Sequence, residues 1–320
     1  MLKVGNLKLK SRLILAPMAG VADFPFRMLN RRFGCELAFI EMINCRSISH
    51  KSKRTQQMLR TNPKDRPLGI QLLGCEPRFI SQAMDVLGDY AFDILDFNAA
   101  CPAKKVVRRG EGASLLKEPK KLNKIMKLVV KNAQTPVTVK IRSGWDKNSI
   151  NAREVALFAQ DAGISALFIH GRTKLAGYSG EVDYETISRV KKALEIPVIA
   201  SGDIFSALLA QKMFTETGCD AVAIARGALG NPWIFLETEH FLKNSRLLDK
   251  PDTNEIIETM IKHLHASVDF YGERIGVIKF RKFFAWYTKG FRKIRPLREK
   301  SSRVKSEAEM INIIRKCVSS

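Results

Sequence analysis

The chain has 320 residues, 45% of them hydrophobic, and its 54 Lys and Arg against 32 Asp and Glu give a formal charge of +22. That length fits a barrel with a modest extra domain, and the charge surplus points to nucleic acid or an anionic surface as partner. No apolar run is long enough for a bilayer and the first residues lack a signal-peptide core, so a membrane protein is not expected. Six cysteines lie scattered at positions 35, 45, 75, 101, 219 and 317 with no C-x-x-C pair, which argues against zinc. Without an export signal, disulfides are not expected either, and the expected setting is a reducing cytoplasm with free thiols.

Short apolar or β-branched runs bounded by turns predict eight strands in chain order. They are Leu13–Ala16, Leu37–Glu41, Leu68–Leu72, Ile94–Asn98, Val137–Ile141, Ala166–His170, Val198–Ser201 and Ala221–Ala225. Most are apolar on both faces, as parallel strands covered by helices are. Helices are predicted between them over Lys120–Lys131, Ala152–Ala162 and Phe205–Phe214. In the first of these, Leu122, Ile125, Met126 and Val129 form one stripe, with lysines on the other faces. Eight strand–helix units within about 240 residues predict a (β/α)8 TIM barrel over residues 1–243, followed by a small all-helical domain over 244–320.

In such a barrel the functional residues lie at the carboxyl ends of the strands. The first strand ends in Pro17-Met18-Ala19-Gly20 and the second in Glu41-Met42. The third carries Gln71, the fourth Asn98 and the fifth Lys140 and Arg142. The last three end in His170-Gly171-Arg172, Ser201-Gly202-Asp203 and Ala225-Arg226-Gly227. Lys140, between Val139 and Ile141, is costly to bury without a partner. Either it faces a bound anion or polar cofactor, or it pairs with a carboxylate such as Glu41 or Asp96. The glycine turns after the seventh and eighth strands suit a phosphate group.

Cys101 follows the fourth strand and precedes the cations Lys104, Lys105, Arg108 and Arg109. A neutral thiol there donates a proton and a thiolate attacks; the plain alternative is a small apolar residue in a turn. The charge is uneven as well. Residues 271–320 hold 14 Lys or Arg and 4 Asp or Glu. There Phe283, Phe284, Trp286, Tyr287 and Phe291 interleave with Arg281, Lys282, Lys289, Arg292, Lys293 and Arg295. That mixture predicts an RNA-facing surface, with some of the rings packing a core, against the alternative of a solvated helical face. Arg292, Lys293, Arg295 and Arg298, around Pro296, read as an exposed loop.

These residues resemble the tRNA-dihydrouridine synthases, the bacterial FMN-dependent group related to the B-type enzymes. The resemblance rests on Ala16-Pro17-Met18-Ala19-Gly20, on Asp96-Phe97-Asn98-Ala99-Ala100-Cys101-Pro102-Ala103-Lys104-Lys105-Val106 and on Val139-Lys140-Ile141-Arg142-Ser143-Gly144-Trp145. It continues in His170-Gly171-Arg172-Thr173, the two glycine turns and Arg281-Lys282 with Trp286-Tyr287. It implies FMN in the barrel mouth, held by Pro17, Met18, Ala19, Gln71, Lys140, His170, Ser201, Gly202, Asp203, Ala225 and Arg226. NADPH, or NADH, is the implied reductant, and Cys101 the proton donor to a tRNA uridine. Asn98 would orient uracil or flavin. Lys104, Lys105, Arg142, Arg172, Arg281, Lys282, Arg292 and Arg295 are the expected tRNA contacts. A monomer without a bound metal is expected. Ser201, Ala225, Ala99-Ala100 and Phe283 depart from the usual family residues. Two rivals are a flavin barrel acting on a free pyrimidine, of the dihydroorotate dehydrogenase type, and a non-catalytic tRNA-binding protein.

Overall fold

In the computed structural model, which describes residues 1–50 and 52–319, eight parallel strands close into a barrel. They are Leu13–Leu15, Leu37–Phe39, Leu68–Leu73, Ile94–Asn98, Val137–Arg142, Ala166–His170, Val198–Ser201 and Ala221–Ile224. The eighth pairs with the first, and the second pairs with both the first and the third, which closes the ring. All eight expected strands are present. The second stops at Phe39 rather than Glu41, and pairing with the third resumes at Ile43–Asn44. The break turns Glu41 toward the first loop, where its carboxylate accepts the Gly20 N–H.

Alternate residues of each strand point inward. Ile14, Phe39, Phe168, Ile199 and Ala223 belong to one buried cluster in the barrel interior, where the Phe39 and Phe168 rings meet edge-on at 5.5 Å. Gly69 is required beside them, because a Cβ at that position would overlap the Phe39 ring. A hairpin of Leu2–Val4 against Leu7–Leu9 was not expected from the sequence. Leu2, Val4 and Leu9 join the same interior cluster, and Gly5 lies against Pro136 and Ser165, just before the fifth and sixth strands. The hairpin therefore plugs the amino end of the barrel. Two three-residue strands are too short for a periodic signal.

The helix over Pro119–Asn132 buries Leu122, Ile125, Met126 and Val129, as the stripe predicts. Helices also form at Ala152–Asp161 and Ala207–Thr217. The latter starts after Ser206, whose hydroxyl accepts the Leu209 N–H at 3.2 Å, so Phe205 lies outside it.

Beyond the helix Ile234–Asn244, the C-terminal region comprises helices Thr253–Tyr271, Glu273–Tyr287, Arg295–Ser301 and Glu307–Arg315. Phe280, Phe283, Phe284 and Tyr287 are buried there, and the His263 ring lies 4.3 Å from that of Phe283. Phe283, Phe284 and Tyr287 are thus the rings of the interleaved set that pack a core, while Trp286 and Phe291 are half-buried. The region seats on the first barrel helix, Phe24–Arg32. Phe283 stacks on Phe26 at 5.4 Å, Phe270 on Phe24 at 5.2 Å, and the Tyr271 hydroxyl donates to Asp23 at 3.0 Å. Pro296 does not sit in a loop; it occupies the first turn of a helix. Arg298 in that helix is half-buried and donates to Thr288 Oγ1 and the Ala285 carbonyl, at 3.1 and 3.0 Å.

Candidate active site

The fourth strand carries the polar framework of the barrel mouth. Asp96 is fully buried and accepts from Thr138 at 2.6 Å and from Gln71 at 2.7 Å. The Gln71 carbonyl accepts from Asn98 at 2.8 Å. Asn98 Oδ1 in turn accepts the Ala100 and Cys101 N–H groups, at 3.0 and 2.8 Å. Asn98 thus shapes the turn that presents Cys101, a role sequence reasoning missed, and part of the Gln71 amide is engaged within the protein. Below the turn, Ala113 N–H donates to the Cys101 carbonyl at 3.1 Å, and Gly112, at φ +61°, leaves no room for a Cβ against Cys101.

Cys101 is half-buried. Burial pushes its thiol above the ordinary value of 9.0, against the opposing pull of the Ala103 N–H and the Arg142 guanidinium. At neutral pH it is a protonated acid. Of the four cations that follow it, Arg109 is tied to Glu111 at 2.6 Å, while Lys104 and Lys105 are exposed.

Lys140 and His170 come from neighbouring strands. Lys140 Nζ donates to Ser201 Oγ at 3.1 Å, and Ser201 donates to the Ile169 carbonyl at 3.1 Å. Among the described residues Lys140 forms no ion pair with Glu41 or Asp96, although the buried Asp96 carboxylate acts on it through space. Burial pushes Lys140 down to about 8, opposed by Asp96; burial likewise pushes Asp96 up to about 6. His170 is held well below 6.5, first by burial and then by Arg142, Lys140, Arg172 and Arg226, so its imidazole is neutral. Its Nδ1 is buried with no hydrogen-bond partner among the described residues.

The two glycine turns stand beside this pair. Gly202 has φ +134° and Asp203 φ +47°, and a Cβ on Gly227 would overlap the Ile204 carbonyl. The Asp203 carboxylate, held low chiefly by its hydrogen bond from Arg172, also accepts from Arg226 at 2.6 Å. Its side chain therefore orients the arginines, leaving backbone and Arg226 for an anion. The Arg226 guanidinium lies 4.7 Å from the Tyr178 ring centre, and Ala225 at the turn is half-buried. Pro17 and Met18 are half-buried and Ala19 exposed on the first loop.

Several expected tRNA contacts are engaged inside the protein. Arg142 donates to the Ala100, Thr173 and Gly177 carbonyls at 2.8–3.0 Å, bracing the Cys101 loop against the sixth loop. Arg172 donates to Ser179, Gly180 and Asp203. Arg281 binds the Val304 carbonyl at 2.6 Å, and Lys282 donates to the Gly20 carbonyl. Lys282 therefore couples the helical region to the first barrel loop, while Glu41 holds the N–H of the same glycine. Arg292 and Arg295 are exposed, as expected.

Fold and site invite comparison with known proteins. The family model described as "Dihydrouridine synthase (Dus)" matches residues 14–320. The chain belongs to the dihydrouridine synthase family. The chain is 41% identical over 288 residues to "tRNA-dihydrouridine synthase B" of Vibrio parahaemolyticus, covering 90% of this chain and 89% of that one. It is 40% identical over 291 residues to a "Probable tRNA-dihydrouridine synthase" of Rickettsia bellii, covering 91% and 89%. Among solved structures, an old yellow enzyme homologue from Zymomonas mobilis shares the fold, with a TM-score of 0.54 and 13% identity over 81% of this chain and 94% of that one. Histamine dehydrogenase from Rhizobium sp. 4-9 does so with a TM-score of 0.59 and 12% identity, over 83% of this chain and 50% of its own. Among the described residues no cluster of three or more His, Cys, Asp or Glu is placed to hold a metal, and no helix is long and apolar enough to cross a membrane.

Proposed function

We propose that this dihydrouridine synthase family member reduces the C5–C6 bond of uridines in tRNA, with FMN bound in the barrel mouth and NADPH as reductant. The observation that carries the reading is one rim holding three complementary groups. These are a thiol kept protonated by burial, a buried ammonium that donates to Ser201, and a neutral imidazole whose Nδ1 has no hydrogen-bond partner among the described residues. The last two fit a flat, hydrogen-bonding, electron-rich ring, and the glycine turns with Arg226 fit its phosphate. Lys140, His170 and Ser201 would hold the ring; Gly202, Asp203, Ala225 and Arg226 would hold the phosphate; Pro17, Met18 and Ala19 would cover one face.

When bound, the flavin would supply the hydride for uracil C6, with NADPH as the source of reducing electrons. Cys101 Sγ–H then gives its proton to C5, and the thiolate regains one from solvent. Asn98 and Arg142 fix the Cys101 turn. The base must leave its stack to reach this depth. A tRNA substrate fits a chain of charge +22 working in the cytoplasm, and we propose that it acts as a monomer, with residues 244–320 as a domain facing the RNA. A free-pyrimidine enzyme needs neither that charge nor an exposed basic tail.

The test is cofactor uptake. Lys140→Met should weaken FMN binding roughly tenfold or more, because a charge-assisted hydrogen bond contributes about 1.5–3 kcal/mol. An anionic ligand prefers the protonated amine, so wild-type affinity should fall as pH rises through about 8. The fall cannot exceed about tenfold per pH unit for one proton, and Lys140→Met should abolish it. Fluorescence titration of apoprotein with FMN reads both; a wild-type chain that takes up no FMN sinks the proposal.

The exposed tail gives a second test. Reversing Arg292, Lys293 and Arg295 to Glu should raise the KM for tRNA and flatten the salt dependence of binding by ~0.7–0.9 per lost phosphate contact. NADPH-driven flavin reduction should not change. Arg298 is left out because it is internal to the helical region. Equal tRNA affinity at low and high salt would mark these residues as a solvated face.

A further inference from the structure

On the barrel rim, Trp145 carries two lysines. Lys117 Nζ and Lys174 Nζ each lie 4.5 Å from the centre of the indole ring. They come from three different loops at the carboxyl ends of the strands. Lys117 ends the short 3-10 helix Gly112–Lys117 in the Cys101 loop, Trp145 follows the fifth strand, and Lys174 follows the sixth. Neither ammonium has an ion pair or hydrogen bond among the described residues, so each is held by the ring alone. Cation–π contacts of this kind fix a flexible side chain without neutralising its charge.

The three loops are braced against one another. Lys174 and Leu175 N–H groups donate to the Gly144 and Trp145 carbonyls at 2.9 and 3.0 Å. Asn151 donates to the Leu116 carbonyl at 2.7 Å, and a Cβ on Gly144 would overlap the Ser149 carbonyl. The charges therefore sit on a rigid edge. That edge lies across the mouth from the helical region. Lys282, Tyr271 and Phe283 seat that region on the first loop and the helix after it, and in an eight-stranded ring the fifth strand is opposite the first.

We propose that Lys117 and Lys174, set by Trp145, form a second phosphate-binding edge that grips the RNA backbone on the side of the barrel mouth opposite the helical region. A base drawn down to Cys101 pulls its flanking backbone across the mouth, and two fixed ammonium groups beside the Cys101 loop are placed to meet it. The inference rests on tRNA being the substrate. The same phosphate chemistry is offered by the reductant, and the test separates the two.

Lys117→Gln with Lys174→Gln removes both charges at half-exposed or exposed positions. The expected result is a log–log salt slope for tRNA binding lower by roughly 1.4–1.8, from two contacts of ~0.7–0.9 each. Trp145→Leu, which keeps the charges but frees them, should give a smaller loss of affinity with the slope nearly retained. The KM for NADPH in flavin reduction should be unchanged in both. A double variant with the wild-type salt slope, or one whose KM for NADPH rises while tRNA binding is intact, overturns the proposal. A wild-type protein with no salt-dependent tRNA binding would instead overturn the tRNA reading beneath it.

Discussion

Cys101→Ala is expected to slow tRNA reduction by roughly 10²–10⁴-fold, the usual contribution of a positioned general acid. NADPH-driven flavin reduction and tRNA affinity should stay at wild-type levels. The selectivity follows from how the turn is built. Its shape depends on backbone groups, with Ala100 and Cys101 N–H donated to Asn98 and the Cys101 carbonyl accepting from Ala113. Removing Sγ leaves each of these bonds in place. What is lost is a thiol that burial keeps protonated. Stopped-flow mixing of reduced enzyme with tRNA reads the affected step, and mixing of oxidised enzyme with NADPH reads the unaffected one. Dihydrouridine formation by Cys101→Ala at near the wild-type rate would show that another group or solvent protonates C5.

Asp65→Ala is expected to destabilise the fold by about 3–5 kcal/mol, the cost of stripping a buried charge of its partner. Asp65 is fully buried and accepts from Arg27 Nε and Nη2 at 2.9 and 2.6 Å, from Arg31 Nε at 2.8 Å and from Thr61 at 3.0 Å. The Arg27 side chain is also fully enclosed, and it holds the Ala22 carbonyl at 2.8 Å. Alanine leaves that guanidinium buried with one neutral acceptor. The damage should spread, because the helix Phe24–Arg32 carries the rings on which the C-terminal region sits. Asp65→Ala combined with Arg27→Met should recover part of the loss, since the orphaned charge is then gone. Urea denaturation of the three proteins decides it. A cost below about 1 kcal/mol for Asp65→Ala would mean the pair behaves as a solvated surface bridge.

The sequence by itself determined the barrel and which residues stand at the carboxyl ends of its strands. Parallel strands covered by helices are buried on both faces, so the stretch 166–169 or 198–200 reads as an unbroken apolar run whatever surrounds it. Polar residues breaking such runs at their carboxyl ends mark the mouth, and Cys101, Lys140, His170 and the glycine turns were legible for that reason. Only the tertiary structure decided which polar groups are free to bind. Arg142, Arg172, Arg281 and Lys282 look like RNA contacts as residue types, yet Arg142, Arg281 and Lys282 are engaged by carbonyls distant in sequence, and Arg172 by the Gly180 carbonyl and the Asp203 carboxylate. Of the interleaved aromatics of the tail, Phe283, Phe284 and Tyr287 became core, with Phe26 of the first barrel helix and His263 of the preceding helix packed against Phe283. Local pattern records propensity and burial; whether a charge faces ligand or backbone depends on what the fold brings within about 3 Å of it, the range of a hydrogen bond.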